Sequence, residues 1–281
     1  MTERLAEIGD RIVGIRQLGA VVSAMRGIAA ARARTAKGQL AAVEAFSAIL
    51  AGAIGQALAL IPAGAASGGS HLGIVVFCAE QGFAGAFSER VLDSVGSDFR
   101  TASVFLVGTR GAAVAAERGI ATAWTGAMPS HSLGIPRMAD RIAEALYAAI
   151  GEGKIDVLDT IVTEWQAGQS MNVQRRRLFP LDPTRFAQSV DVSPPLLNLP
   201  PAALLAALTA DYVHAQLCAA GLQAFAAENQ ARMMAMASAH TEIDRKLVRL
   251  QGRARVIRQE EITAEIVELA AGEAASQVHP L

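Results

Sequence analysis

Three thioethers, Met233, Met234 and Met236, fall within four residues of one another in "ENQARMMAMASAHTEIDRKL", residues 228–247. Such a set could hold a soft ion such as cuprous copper. On a helix, however, Met233 and Met236 share a face while Met234 points about 100° away, and no Cys or His completes the set. Packing is the expected role, with adaptable side chains filling an uneven helix crossing. Cys78 and Cys218 each stand alone among apolar neighbours, and His71, His131, His214, His240 and His279 show no ligand spacing. Two reduced, buried thiols are expected, with no metal and no cofactor. The segment "QGFAGAF", after the apolar run "GIVVFCAE", invites a phosphate-binding reading. It lacks both G-x-G-x-x-G and a terminal Gly-Lys-Ser/Thr, so Gly82 and Gly85 are expected to serve a tight strand-to-helix turn. No Ser-His-acid or Cys-His set is marked. Arg175, Arg176 and Arg177 read as a solvated or edge-guarding charge run, and Trp124 and Trp165 as packing residues.

These side chains must be carried by elements of three textures. From residue 3 to about 60 there is no Pro, and Leu5, Ile8, Ile12, Ile15, Val22 and Met25 recur at three-four spacing, with Gly19 filling the gap. That predicts a helix with one narrow apolar seam. Gly9, Gly14, Gly19, Gly27 and Gly38 each cost about 1 kcal/mol relative to Ala, so the helix must lean on a partner that profits from close backbone approach. The stretch 61–72 is a linker by composition. Beyond it, "GIVVFCAE", "ASVFLVG" and "IDVLDTIVTEW" read as strands interleaved with helical patterns, and "RRRLFPLDP" as a closing edge segment. That order is an α/β sandwich with a mainly parallel sheet. From 202 to 275 there is again no Pro, which predicts a helix of about 110 Å. Ile243, Leu247, Leu250, Ala254 and Ile257 form its seam, flanked by Arg245, Arg249, Arg253, Arg255 and Arg258. A seam for one partner helix points to a coiled coil. The expected domains are 1–60, 72–190 and 202–275, with the two terminal helices antiparallel and the α/β module inserted between them.

Composition narrows the function classes. The 281 residues suffice for a sizeable core. The 25 basic residues nearly cancel the 26 acidic ones and are spread along the chain, which argues against nucleic acid. The uncharged stretch 45–69 is interrupted by Pro62 after about 17 residues, short of the roughly 20 a membrane span needs. The N-terminus is charged from residue 3 and lacks the order of a signal peptide, so a soluble protein is expected.

Three segments carry a family resemblance. "IGDRIVGIRQLGAVVSAMRGIAAARAR", from Ile8 to Arg34, is similar without a gap to the pattern "I..(R/K)I.S…TQKITKAM.MVAAAK". The stretch Glu228 to Glu242 is similar to "E..ARM.AM..AT.NA", and "RQEEITAEIVELAAGEA", Arg258 to Ala274, to "RQ..IT.EI.EI..GA". "AEQGFAGAFS" at 79–88 corresponds to "S(S/D)RGLCGGLN". All belong to the gamma subunit of F-type ATP synthases, the central rotor shaft, and the chain resembles that family over most of its length. Val21, Val22 and Ser23 depart from Ile-Thr-Lys, "LNLPP" at 197–201 departs from "YEPDP", and Glu273 replaces the Ala after Gly272. These departures make it similar to the divergent gamma chains of alternate, sodium-type ATPases.

The resemblance implies a non-catalytic subunit that couples ion flow to conformational change at catalytic beta subunits. It implies alpha and beta subunits, an epsilon-type subunit and the membrane c-ring as partners, and a peripheral position on the cytoplasmic face of the cell membrane. It also implies that Arg258, Gln259, Thr263, Glu265 and Glu268 on one helix, and Met25 and Arg26 on the other, meet the beta subunits. The rival expectations are a small α/β enzyme that dimerises through helical arms, with a defined polar pocket in 72–190, and a free-standing coiled-coil adaptor.

Overall fold

The computed structural model describes residues 2–61, 69–165, 171–182, 186 and 197–277. Its long helices are α1 (Thr2–Leu58) and α5 (Pro201–Gln277). Between them lie β1 (Leu72–Phe77), α2 (Phe87–Val95), β2 (Ser103–Val107), α3 (Thr109–Glu117), β3 (Trp124–Gly126), α4 (Ile135–Gly151), β4 (Val157–Glu164) and β5 (Asn172–Phe179). The chain divides into two compact units, residues 29–233 and residues 1–28 with 234–281. Both long helices contribute to each unit. By length and composition alone, both also contain stretches apolar enough to cross a membrane.

In the unit of residues 29–233 the sheet order is β3-β2-β1-β4-β5. All pairs are parallel except β5, which runs antiparallel to β4 at the edge, where "RRRLFPLDP" was expected to close the sheet. Parallel strands joined by helices are covered on both faces and therefore read as unbroken apolar runs. Accordingly Ile74 and Val76 face one core with α2 and α3, while Val75 and Phe77 face another with α4 and α5. Gly111 lets α3 lie against the end of β1, since a Cβ there would stand 2.0 Å from Cys78 Cβ. The three-residue strand β3 was not expected. It is too short to show alternation, and only its parallel pairing with β2, Phe105 with Trp124 to Val107 with Gly126, defines it. Trp124 and Trp165 are half-buried packing residues, as read from the sequence.

The segment 29–58 of α1 continues the seam into this unit through Ala29, Ala33, Ala36, Leu50, Ile54 and Ala57. Sequence periodicity stopped at Met25 because small residues carry the next turns. The arginine run lies exposed on the edge strand β5, as expected, and is paired with acids as well. Arg175 binds Asp98 and Asp159, Arg177 binds Asp159, and Arg176 binds Glu164. Asp159 is only 2% exposed and would be costly to bury alone. A bulge at Leu158/Asp159 sets Arg175 and Arg177, two residues apart on one face of β5, both against it.

In the unit of residues 1–28 and 234–281, Leu5, Ile8, Ile12, Ile15 and Met25 are half-buried, and Gly19 and Val22 are buried. On α5, Ile243 and Leu250 are buried while Leu247, Ala254 and Ile257 are half-buried. The seams therefore fall where the three-four spacing placed them. Gly19 is the close-approach position, 3.4 Å from Ile243 Cγ2 for an added Cβ. Gly9, Gly14 and Gly27 meet nothing within 4 Å, so of these four only Gly19 serves close backbone approach. The thioethers do not converge: Met236 is buried with Val22 and Ile243, Met234 is exposed and Met233 is half-buried.

Candidate subunit interface

Side chains expected to meet a partner lie on the unit of residues 1–28 and 234–281. Arg26 is exposed, whereas Met25 is half-buried and packs against the cluster of Val22, Met236 and Ile243. Arg258, Gln259, Thr263, Glu265 and Glu268 are all exposed on α5. At about 100° per residue they do not share one face. Gln259 and Thr263 stand opposite the seam, where the Thr263 hydroxyl donates to the Gln259 carbonyl at 2.8 Å. Glu265 and Glu268 stand on the seam side, beside Leu269 and Glu273.

Between and around these polar groups the structure exposes apolar ones that sequence reasoning passed over. Val256, Ile262, Ile266, Val267 and Leu269 are 51–75% exposed. Most of this surface points away from the seam. A signal was present, since Ile262, Ile266 and Leu269 recur at four and three as a second, off-seam stripe. An exposed apolar surface of this extent on a long helix marks an interaction site.

A second construction sits in the unit of residues 29–233, at the carboxyl edge of the sheet. The turn 78–86 follows β1, beside the point where strand order reverses, the usual ligand crevice of an open parallel sheet. Here that crevice holds a side chain of the same protein. Glu228 of α5, 3% exposed, accepts the backbone N–H of Glu80 at 3.1 Å and of Gln81 at 3.2 Å. Arg232, one turn on and 5% exposed, donates to the carbonyls of Gly82 at 3.2 Å and Gln81 at 3.3 Å, to Asn229 Oδ1, and to Glu228 itself. Glu80 extends the network, accepting the N–H of Thr109 at 2.9 Å and of Met128 at 2.8 Å. The amides that would cradle a phosphate are thus already occupied by carboxylates. The turn so held carries Phe83 at φ 62°, a left-handed conformation uncommon for a residue with a side chain, with the ring 68% exposed.

Comparison with known proteins decides the family. The family model for ATP synthase matches residues 4–275. The ATP synthase gamma chain of Streptomyces griseus is 30% identical over 222 residues, covering 72% of this chain and 71% of that one. The chain belongs to the ATP synthase gamma family. The gamma chain of Frankia casuarinae is 28% identical over 291 residues, with 97% of both chains covered. The fold agrees: a chain of the Euglena gracilis mitochondrial ATP synthase, in rotational state 3, superposes with a TM-score of 0.71 at 11% identity over 99% of this chain and 96% of that one.

Two further polar features stand among the described residues of the unit 29–233. Cys218 Sγ lies 3.9 Å from both ring nitrogens of His214, and His214 Nε2 lies 2.9 Å from Asp140. Burial, aided by Asp140, pushes the Cys218 thiol up to about 11. A nucleophilic Cys needs the opposite shift. A cavity of about 500 Å³ between β4, β5 and α5 is lined by Val162, Leu178, Phe186 and Tyr212 together with Arg176 and Arg177. Both arginines also bind acids, Glu164 and Asp159, and Thr160, Asp182 and Gln216 complete the polar lining.

Proposed function

We propose that this gamma-family chain is the central-stalk rotor subunit of a rotary ATP synthase and that it catalyses no reaction itself. The observation that carries the reading is the end of α5, where beyond Ile257 no described residue is buried and the exposed surface from Val256 to Leu269 is apolar, interspersed with Arg258, Gln259, Thr263, Glu265 and Glu268. Such a surface suits a sleeve of partner subunits. The apolar groups allow sliding because their attraction is non-directional, and the exposed charges add weak, breakable contacts.

The helices of 1–60 and 202–275 act as the shaft, and the module of 72–190 serves the epsilon-type subunit and the c-ring. One asymmetric shaft touches three chemically identical beta subunits differently, and that difference in contact energy biases each catalytic site towards a different conformation. Rotation moves the bias from site to site, coupling ion flow to ATP formation, or ATP hydrolysis to ion pumping. In this reading Arg26 meets the beta subunits from α1, together with the exposed part of Met25. The complex is peripheral, on the cytoplasmic face of the cell membrane.

The test is purification of the tagged chain from its native membrane with identification of the accompanying subunits. Recovery with alpha, beta and epsilon-type subunits is expected. A stable homodimer that turns over a small substrate and shows no affinity for such subunits would overturn the reading. Sodium dependence of the recovered ATPase distinguishes a sodium-type complex from a proton-driven one.

A further inference from the structure

The rotor reading requires that α5 not slip against the α/β module when load is applied, which calls for directional contacts in addition to packing. Between Val213 and Ala227 the buried face of α5 sets Val213, Leu217, Leu222 and Phe225 among alanines such as Ala220 and Ala224. Such dispersion and hydrophobic contacts are non-directional. Immediately beyond this apolar face come three buried polar residues in one turn and a half, Glu228, Asn229 and Arg232.

We propose that Glu228 and Arg232 form the torque-bearing joint between α5 and the α/β module, an inference that rests on the rotor reading above. The carboxylate takes two successive backbone N–H groups of the 80–83 turn, and the guanidinium takes the two carbonyls that follow. One turn of backbone is thereby gripped through both its donors and its acceptors by side chains that also bind each other. Charge-assisted hydrogen bonds of this kind are directional and are strengthened by burial, so they resist both sliding along the helix axis and rotation about it. Glu80 then passes the load on, because its carboxylate holds the start of α3 at Thr109 and the segment after β3 at Met128. Backbone groups from the carboxyl ends of three adjacent strands are tied through this one turn to one helix. The direct partners are main-chain atoms, so the joint depends on the two α5 side chains and on the shape of the turn.

The experiment uses the assembled, membrane-reconstituted complex carrying Arg232→Lys, Arg232→Met, Glu228→Gln or Glu80→Gln. ATP hydrolysis and ATP-driven ion uptake into vesicles are read together, with hydrogen exchange at the amides of Glu80 and Gln81 as a local report. The expected result is hydrolysis within about twofold of the parent while ions moved per ATP fall at least threefold in Arg232→Met and Glu228→Gln. Smaller losses are expected in Arg232→Lys and Glu80→Gln, with faster exchange in the same order. A merely structural role would lower assembly and hydrolysis together and leave the coupling ratio unchanged. That outcome overturns the proposal, as does failure of even Arg232→Lys and Glu80→Gln, the variants that keep most of the network, to assemble. Failure of the parent itself to assemble or pump would instead strike the rotor reading.

Discussion

Glu228 and Glu80 hold the same turn from opposite sides: Glu228 accepts the N–H of Glu80 at 3.1 Å, while the carboxylate of Glu80 reaches outward to the N–H of Met128 at 2.8 Å. Removing the guanidinium that balances Glu228 would leave a buried carboxylate without its countercharge. Arg232→Ala is expected to destabilise the unit of residues 29–233 by about 3–5 kcal/mol. Glu80→Gln, at a half-buried site, is expected to cost about 1–2 kcal/mol. Chemical denaturation followed by circular dichroism measures both. Replacing both charges, as in Glu228→Leu with Arg232→Met, will not restore stability, because the backbone donors and acceptors of the turn would remain unpaired.

Glycines separate by what stands next to them. Gly111→Ala places a Cβ 2.0 Å from Cys78 Cβ, an overlap that only movement of α3 or β1 can relieve. A loss of about 1–3 kcal/mol is expected. Gly27→Ala meets nothing within 4 Å and removes a flexible residue from a helix interior, so it should stabilise the chain by about 1 kcal/mol. Thermal unfolding of the two variants should shift in opposite directions.

Alkaline pH should weaken the fold through its thiols. Burial, then Glu89 and Glu228, push Cys78 up to about 12, and burial with Asp140 pushes Cys218 to about 11, from an ordinary 9.0. The folded chain keeps protons that the unfolded chain releases above pH 9.0. The stabilisation is complete below that value and is lost as the pH rises through the folded values, so unfolding midpoints should drop from about pH 9 upwards. Cys78→Ala should flatten that slope. Neither thiol of the folded chain should be alkylated near neutral pH.

Surface residues of the α5 end should affect assembly and not folding. Ile266→Ser changes a side chain 60% exposed, and the unfolding midpoint of the isolated chain should change by no more than about 0.5 kcal/mol equivalent. In the reconstituted complex the same change should lower ATP-driven ion uptake. Arg258→Ala and Glu265→Gln should each have smaller effects, since single exposed ion pairs contribute about 0–1 kcal/mol. Vesicle assays on the three variants rank them.

Long-period features were legible without coordinates. The seam from Leu5 to Met25 and its counterpart from Ile243 to Ile257 are properties of helical spacing, and burial follows that spacing residue by residue. The central strands could be read because a strand covered on both faces must be apolar throughout, as Ile74 to Phe77 are. Legibility failed where a feature is short or shared between distant segments. Strand β3 has three residues, and the continuation of the α1 seam is made of Ala29, Ala33 and Ala36, which carry little hydrophobic contrast. The arginines of β5 are exposed on the edge strand as read, but their partners Asp98, Asp159 and Glu164 belong to other elements and are named only by the fold.

The sequence by itself determined the two long helices, their seams, the parallel sheet and the family, because each rests on periodicity or on motifs contiguous in the chain. Tertiary structure alone decided what fills the crevice beyond β1. Glu228 lies 148 residues from Glu80 along the chain, and nothing local in either segment encodes that pairing. A buried charge must find its partners wherever folding places them, and that requirement makes the expected turn "QGFAGAF" one held by the protein's own C-terminal helix.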